Sequence, residues 1–117
     1  LAPRGRRKHT GVDVVCNPGS SVQAPFPGKI IRSSRPYRTN NAAYNNGLYI
    51  QGTGSYKEYR AKIWYFTPVR RLRNFVKGAT LGTSQKLPYR RITQHLHIKL
   101  YKNGAVINPT PCLLRRC

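Results

Sequence analysis

The chain has 117 residues, enough for one domain with a single core. Hydrophobic residues make up 38% of it, and no apolar run nears the ~20 residues that a membrane-spanning helix needs. Its 22 Lys and Arg against 2 acids give a formal net charge of +20, which opposes compaction by self-repulsion and calls for polyanionic partners. The cations run from Arg4 to Arg116 without gathering on a recognition helix, and no zinc-finger, homeodomain or RNA-recognition signature is present. A phosphate-cradling loop is excluded too, because Gly52-Thr53-Gly54 is followed by no Gly-Lys-Ser/Thr.

Residues 1–8 read as a basic arm; they lack an apolar h-region and do not read as a signal peptide. Residues 11–16 form a short β-branched strand that ends at the turn Asn17-Pro18-Gly19. Further strands are expected over 22–25 and 29–33, around a turn at Pro27-Gly28. Residues 36–46 are a polar loop dense in Arg, Asn and Tyr, closed by the hairpin signal Asn46-Gly47. Strands follow at 48–51 and 60–67; the second carries Ile63, Trp64, Tyr65 and Phe66 and is expected to lie centrally. Residues 68–77 are too short and too mixed for a helix, 79–82 suit a short strand, and 85–93 are a basic loop.

Residues 94–101 carry the clearest pattern in the chain. Leu96, Ile98 and Leu100 alternate with His95, His97, Lys99 and Tyr101, as in a half-buried strand. A turn at Asn103-Gly104 leads into a last strand at 105–107. Nowhere do apolar residues hold a 3.6 period for three turns. The expectation is therefore a mostly β, single-domain fold built on a curled antiparallel sheet, with long loops around a metal site.

His95 and His97 share a strand face, because side chains at i and i+2 point the same way. The third histidine, His9, stands four residues before Asp13, one of the 2 acids in the chain. Imidazoles, one carboxylate and a water make a tetrahedral zinc site with an open position. The other acid, Glu58, lies among cations and reads as a surface ion-pair residue. Asp13 being committed, no carboxylate pair remains for glycosidase chemistry. Cys16, Cys112 and Cys117 point to an oxidising compartment. One intramolecular bridge, in any of the three pairings, would leave one thiol free or available to join a second chain.

Three stretches together carry a resemblance: His9-Thr-Gly-Val-Asp13, then 19–28 with Ala24-Pro-Phe-Pro-Gly28, then His95-Leu-His97. They resemble the lysostaphin/LytM-type zinc endopeptidases over about residues 9–113. That leaves the basic arm 1–8 before the domain and a basic tail 114–117 after it. Within that family the segments His9–Cys16, Arg35-Pro-Tyr37 and Asn45-Asn-Gly47 are similar to an animal branch, the chemotaxin and myeloid-protein group. The resemblance implies zinc held by His9, Asp13 and His97, with His95 as the histidine that assists catalysis in the bacterial enzymes. It also implies that Tyr65 stands where those enzymes carry a further catalytic histidine. At neutral pH a phenol gives up its proton far less readily than an imidazole, so efficient turnover is not expected.

The function this implies is a secreted, extracellular, peptidase-like protein without efficient proteolysis, acting in innate immunity or signalling. Its partners would be a cell-surface receptor, an acidic glycan or a bacterial-envelope polyanion, with non-specific nucleic acid as a further ligand. The polyanion contacts are expected on the arm (Arg4, Arg6, Arg7, Lys8) and on Arg35, Arg38, Arg70, Arg71, Arg73, Arg90 and Arg91. Two other functions fit the same residues: an active metallo-endopeptidase cleaving peptidoglycan crosslinks, and a matrix protein crosslinking acidic polymers.

Overall fold

The computed structural model describes residues 11–38, 42, 44–88 and 94–108. In chain order the strands are β1 (Val12–Val15), β2 (Ser21–Gln23), β3 (Gly28–Ser33), β4 (Gly47–Gly52), β5 (Tyr59–Trp64), β6 (Phe66–Pro68), β7 (Asn74–Phe75), β8 (Thr80–Ser84), β9 (His95–Lys102) and β10 (Ala105–Ile107). A turn of 3-10 helix at Gly54–Tyr56 is the one helical element among the described residues.

A seven-stranded antiparallel sheet has the order β1-β9-β5-β4-β3-β7, with β10 also paired to β9. A separate three-stranded sheet has the order β2-β8-β6. The histidine strand β9 is thus bonded on both sides. β5 runs along one edge, while β1 takes the first half of the other edge and β10 the second half.

The expected single curled sheet is replaced by these two open ones, and the division begins at Tyr65. Residues 60–67 do not form one strand, because Tyr65 sits at φ 78 and breaks the run into β5 and β6. A bulky residue in the left-handed region is strained by roughly 1–3 kcal/mol and persists only where its surroundings hold it. Here the Tyr65 N–H donates to the Asn46 carbonyl at 2.8 Å and its own carbonyl accepts from Gln85 N–H at 3.0 Å. Both backbone groups are satisfied outside the ladder. β6 is then free to pair with β8 in the second sheet.

Alternation along the strands decides what is buried. Leu48, Ile50, Ala61, Ile63, Leu96, Ile98 and Leu100 line the inner face of the large sheet, each no more than 6% exposed. Val22, Phe66 and Leu81 from the small sheet join them in one core cluster. Burying one such side chain fully contributes about 1.5–3 kcal/mol. β7, which lies within a stretch expected to hold no element, pairs Asn74 and Phe75 with Lys29 and Gly28, and Phe75 is buried in the core. Glu58 is exposed and, against expectation, makes no ion pair among the described residues.

Candidate metal centre

β1 and β9 pair so that Asp13 stands directly opposite His97, and Val15 opposite His95. The outer, half-exposed face of the large sheet therefore carries Asp13, His95 and His97 side by side. His97 Nδ1 lies 2.8 Å from Asp13 Oδ1, and His95 Nε2 lies 3.6 Å from the same oxygen. The hydrogen bond from His97 holds the Asp13 carboxyl below its ordinary value; partial burial works against this, and positive charge on His95 or His97 works with it. Asp13 thus stays ionised well into acid.

The ring of His97 is fixed from two sides. Trp64, its partner on β5, stacks on it at 5.5 Å between centroids and 12° between planes. The indole Nε1–H donates to Ser34 Oγ at 3.0 Å, which holds the ring in place. On the other side lies Gly11: a Cβ there would come within 2.6 Å of His97 Nε2 and of the Ile98 carbonyl oxygen. The glycine between His9 and Asp13 is therefore a steric requirement of the histidine across the ladder.

His95 meets Tyr65 edge-on, with centroids 5.5 Å apart at 90°. The break after β5 turns Tyr65 toward this face, and its hydroxyl is hydrogen-bonded to the Tyr37 hydroxyl at 3.1 Å. Tyr37 is clamped in turn by the buried Asn45. Its N–H donates to Asn45 Oδ1 at 2.9 Å, and Asn45 Nδ2 donates to its carbonyl at 2.7 Å. Trp64, Gly11, Tyr37 and Asn45 were not singled out in the sequence as parts of the site. Register across β5, β9 and β1 brings Trp64 and Gly11 to His97, while hydrogen bonds on the β3–β4 connection bring Tyr37 and Asn45 to Tyr65.

Among the described residues no group of three or more His, Cys, Asp or Glu side chains is placed to hold a metal ion. Of the three expected ligands two are described, Asp13 and His97, and the structure does bring them together. His9 lies outside the described residues. The two that are seen fit a zinc donor set, an imidazole nitrogen facing a carboxylate oxygen, with a second imidazole close by. Of the expected polyanion contacts, Arg35 and Arg38 are exposed on the β3–β4 connection. Arg70, Arg71 and Arg73 are exposed on the β6–β7 connection. Arg4, Arg6, Arg7, Lys8, Arg90, Arg91, Cys112 and Cys117 lie outside the described residues, as do the arm 1–8 and the tail 114–117.

Comparison with known proteins identifies the fold and the family. Leukocyte cell-derived chemotaxin-2 of Mus musculus is 41% identical over 100 residues, which cover 84% of this chain and 63% of that protein. Myeloid protein 1 of Gallus gallus is 35% identical over 96 residues, 79% of this chain and 27% of that protein. The chain thus spans less than two thirds of the length of either relative. The catalytic domain of the antimicrobial peptidase lysostaphin from Staphylococcus simulans matches with a TM-score of 0.65 at 23% identity, over 95% of this chain and 82% of that one. A zinc containing peptidase from Vibrio cholerae matches with a TM-score of 0.55 at 18% identity, over 78% of this chain and 26% of that one. At such identities the likeness shows the fold. The model of peptidase family M23 matches residues 7–109, nearly the whole sequence, and the chain belongs to that family.

Proposed function

We infer that this chain is a zinc-binding, peptidase-like domain of an extracellular protein that binds a receptor or a polyanion and has no efficient proteolysis, serving innate immunity or signalling. The observation that carries this reading is Tyr65. Its ring lies against His95, and its hydroxyl is tied to Tyr37, at the place where a second catalytic imidazole is expected in an active enzyme.

His9, Asp13 and His97 would hold the metal. Bound zinc supplies a Lewis acid and lowers the pKa of a coordinated water. The remaining work falls to the chain's own groups. His95 can hand over a proton beside Asp13, but the hydroxyl opposite it is a hydrogen-bond partner and a poor proton relay at neutral pH. General acid–base assistance typically contributes ~10²–10⁴-fold, so losing half of such a pair removes efficient turnover while leaving the binding site. An extracellular setting is supported by Cys16, buried at 2% exposure and joined in a disulfide. Among the described residues no helix is long and apolar enough to cross a membrane.

Two measurements test this. Metal analysis of the purified protein should find one zinc per chain, and Asp13→Ala should lose it; full zinc in that variant would overturn the ligand assignment. The zinc-loaded protein should show no turnover of peptidoglycan or pentaglycine at neutral pH. Cell-wall lysis abolished by a chelator and restored by zinc would make the protein a working endopeptidase instead.

A further inference from the structure

The charge of the chain calls for an acidic partner, and the outer face of the large sheet has the form of a place for one. Strand register sets the residues of that face in rows running across the strands. One row is the site row: Gly47, Trp64, His97 and Asp13. Two residues along, the next row runs Arg32, Tyr49, Lys62 and Lys99 across β3, β4, β5 and β9. In a third row Arg60 stands opposite Tyr101.

These side chains form a tile of cations on tyrosines. Arg32 Cζ lies 5.1 Å and Lys62 Nζ 5.2 Å from the Tyr49 ring centre. Lys62 and Lys99 each lie 5.7 Å from that of Tyr101. The two rings meet edge-on at 6.2 Å. Arg60 is propped by Gln51, whose Oε1 accepts from its Nε at 2.7 Å, while Gln51 Nε2 donates to the carbonyls of Gly52 and Lys57.

Lys62 and Lys99 are direct cross-strand partners, and like charges in that position destabilise a sheet. Cation–π contact offsets this only in part. No ion pair does so among the described residues: of the 2 acids, Asp13 is engaged with the histidines, and Glu58, which lines the depression beside Arg60 and Tyr101, pairs with no cation. The face therefore carries a surplus of fixed positive charge that an anionic ligand would relieve. It is a sheet face with an open depression beside Tyr49, Arg60 and Tyr101, whereas a DNA major groove admits a protruding helix or two-stranded ribbon. The faces of Tyr49 and Tyr101 are taken by cations, which leaves them unsuited to stacking bases. Anionic groups hung from a flexible chain fit it best. The row from Arg32 to Lys99 spans three strand spacings, roughly 14 Å, the reach of a short oligosaccharide.

We propose that this face, beside the histidine–aspartate row, binds a sulfated glycan, with Arg32, Arg60, Lys62 and Lys99 holding sulfates on a platform of Tyr49 and Tyr101. The proposal rests on the polyanion reading above and moves the contact from the arm and loops to the sheet.

The test measures binding of a heparin hexasaccharide to the full chain over a range of salt concentrations. Lys62→Gln/Lys99→Gln should weaken binding about tenfold or more near physiological salt, and make the slope of log affinity on log salt shallower by about two. Arg70→Gln/Arg73→Gln, with the same loss of charge on an exposed loop, should change the affinity far less. The thermal midpoint of the lysine variant should stay level or rise, since a repulsion is removed. A marked fall would assign the lysines a structural role and leave Arg32→Gln/Arg60→Gln to decide the proposal. Equal weakening by both variants would also overturn it, showing diffuse charge while leaving the polyanion reading intact. Absence of binding by the wild-type chain would remove both. If duplex DNA binds as tightly and depends on the same two lysines, the glycan is the wrong occupant. Should the lysine variant fail to fold, Arg32→Gln/Arg60→Gln tests the same face with the same expected loss.

Discussion

Asp13 and His97 are 84 positions apart in sequence and 2.8 Å apart in space, and each is useful only because the other is there. The hydrogen bond holds the Asp13 carboxyl below its ordinary value of 3.8. Its contribution to stability is therefore complete above that value and is lost as pH falls through the lower, folded-state value. In metal-free protein, Asp13→Asn should flatten the decline of the thermal midpoint between about pH 5 and pH 2. A decline as steep as in the wild type would show that the bond contributes nothing. Gly11 gives a second test at this scale. With only 2.6 Å from an added Cβ to both His97 Nε2 and the Ile98 carbonyl oxygen, Gly11→Ala must displace the ring against Trp64 and part the start of β1 from β9. The variant should stay folded, bind zinc at least tenfold more weakly, and shift its tryptophan emission. That Asp13 and His97 belong together was expected from the sequence, where acids and histidines are so scarce. The Trp64 stack and the Gly11 clearance were not, since both are products of strand register and neither leaves a local pattern.

At the scale of elements, β9 was the most legible because alternation, length and a closing Asn-Gly turn all agree. Its inner face is also where truncation should cost most. Leu100 is 1% exposed, and Leu100→Ala should destabilise by about 2–5 kcal/mol, read from denaturant unfolding. A loss below 1 kcal/mol would mean that the cluster collapses around the gap. β5 and β6 were read as one strand because nothing at Tyr65 signals a break: no Gly or Pro stands there, and β-favouring residues run through it. The break is imposed from outside, by the Asn46 carbonyl and the Gln85 amide, so no local rule could find it. That missed break also accounts for the missed second sheet. β7 escaped notice for another reason: a two-residue strand is too short to show any period.

For the whole molecule, charge sets the conditions of stability. At +20 the folded chain repels itself, and salt screens that repulsion. The thermal midpoint should rise between about 10 mM and 300 mM sodium chloride, where the Debye length shrinks severalfold. A midpoint that falls would mean that specific ion pairs outweigh the net charge, although Asp13 with its histidines forms the only pairs among the described residues. The order of the large sheet has a further consequence, for time. β1 is made first and β9 almost last, yet β9 is the strand on which β1 docks. During synthesis β1 must therefore wait, without its partner strand, until β2 to β8 and then β9 have emerged. Loops that long close late, and refolding should be slow for a domain of this size. Trp64, the sole tryptophan, stacks on the strand that completes the ladder, so its emission reports that last closure without any added label.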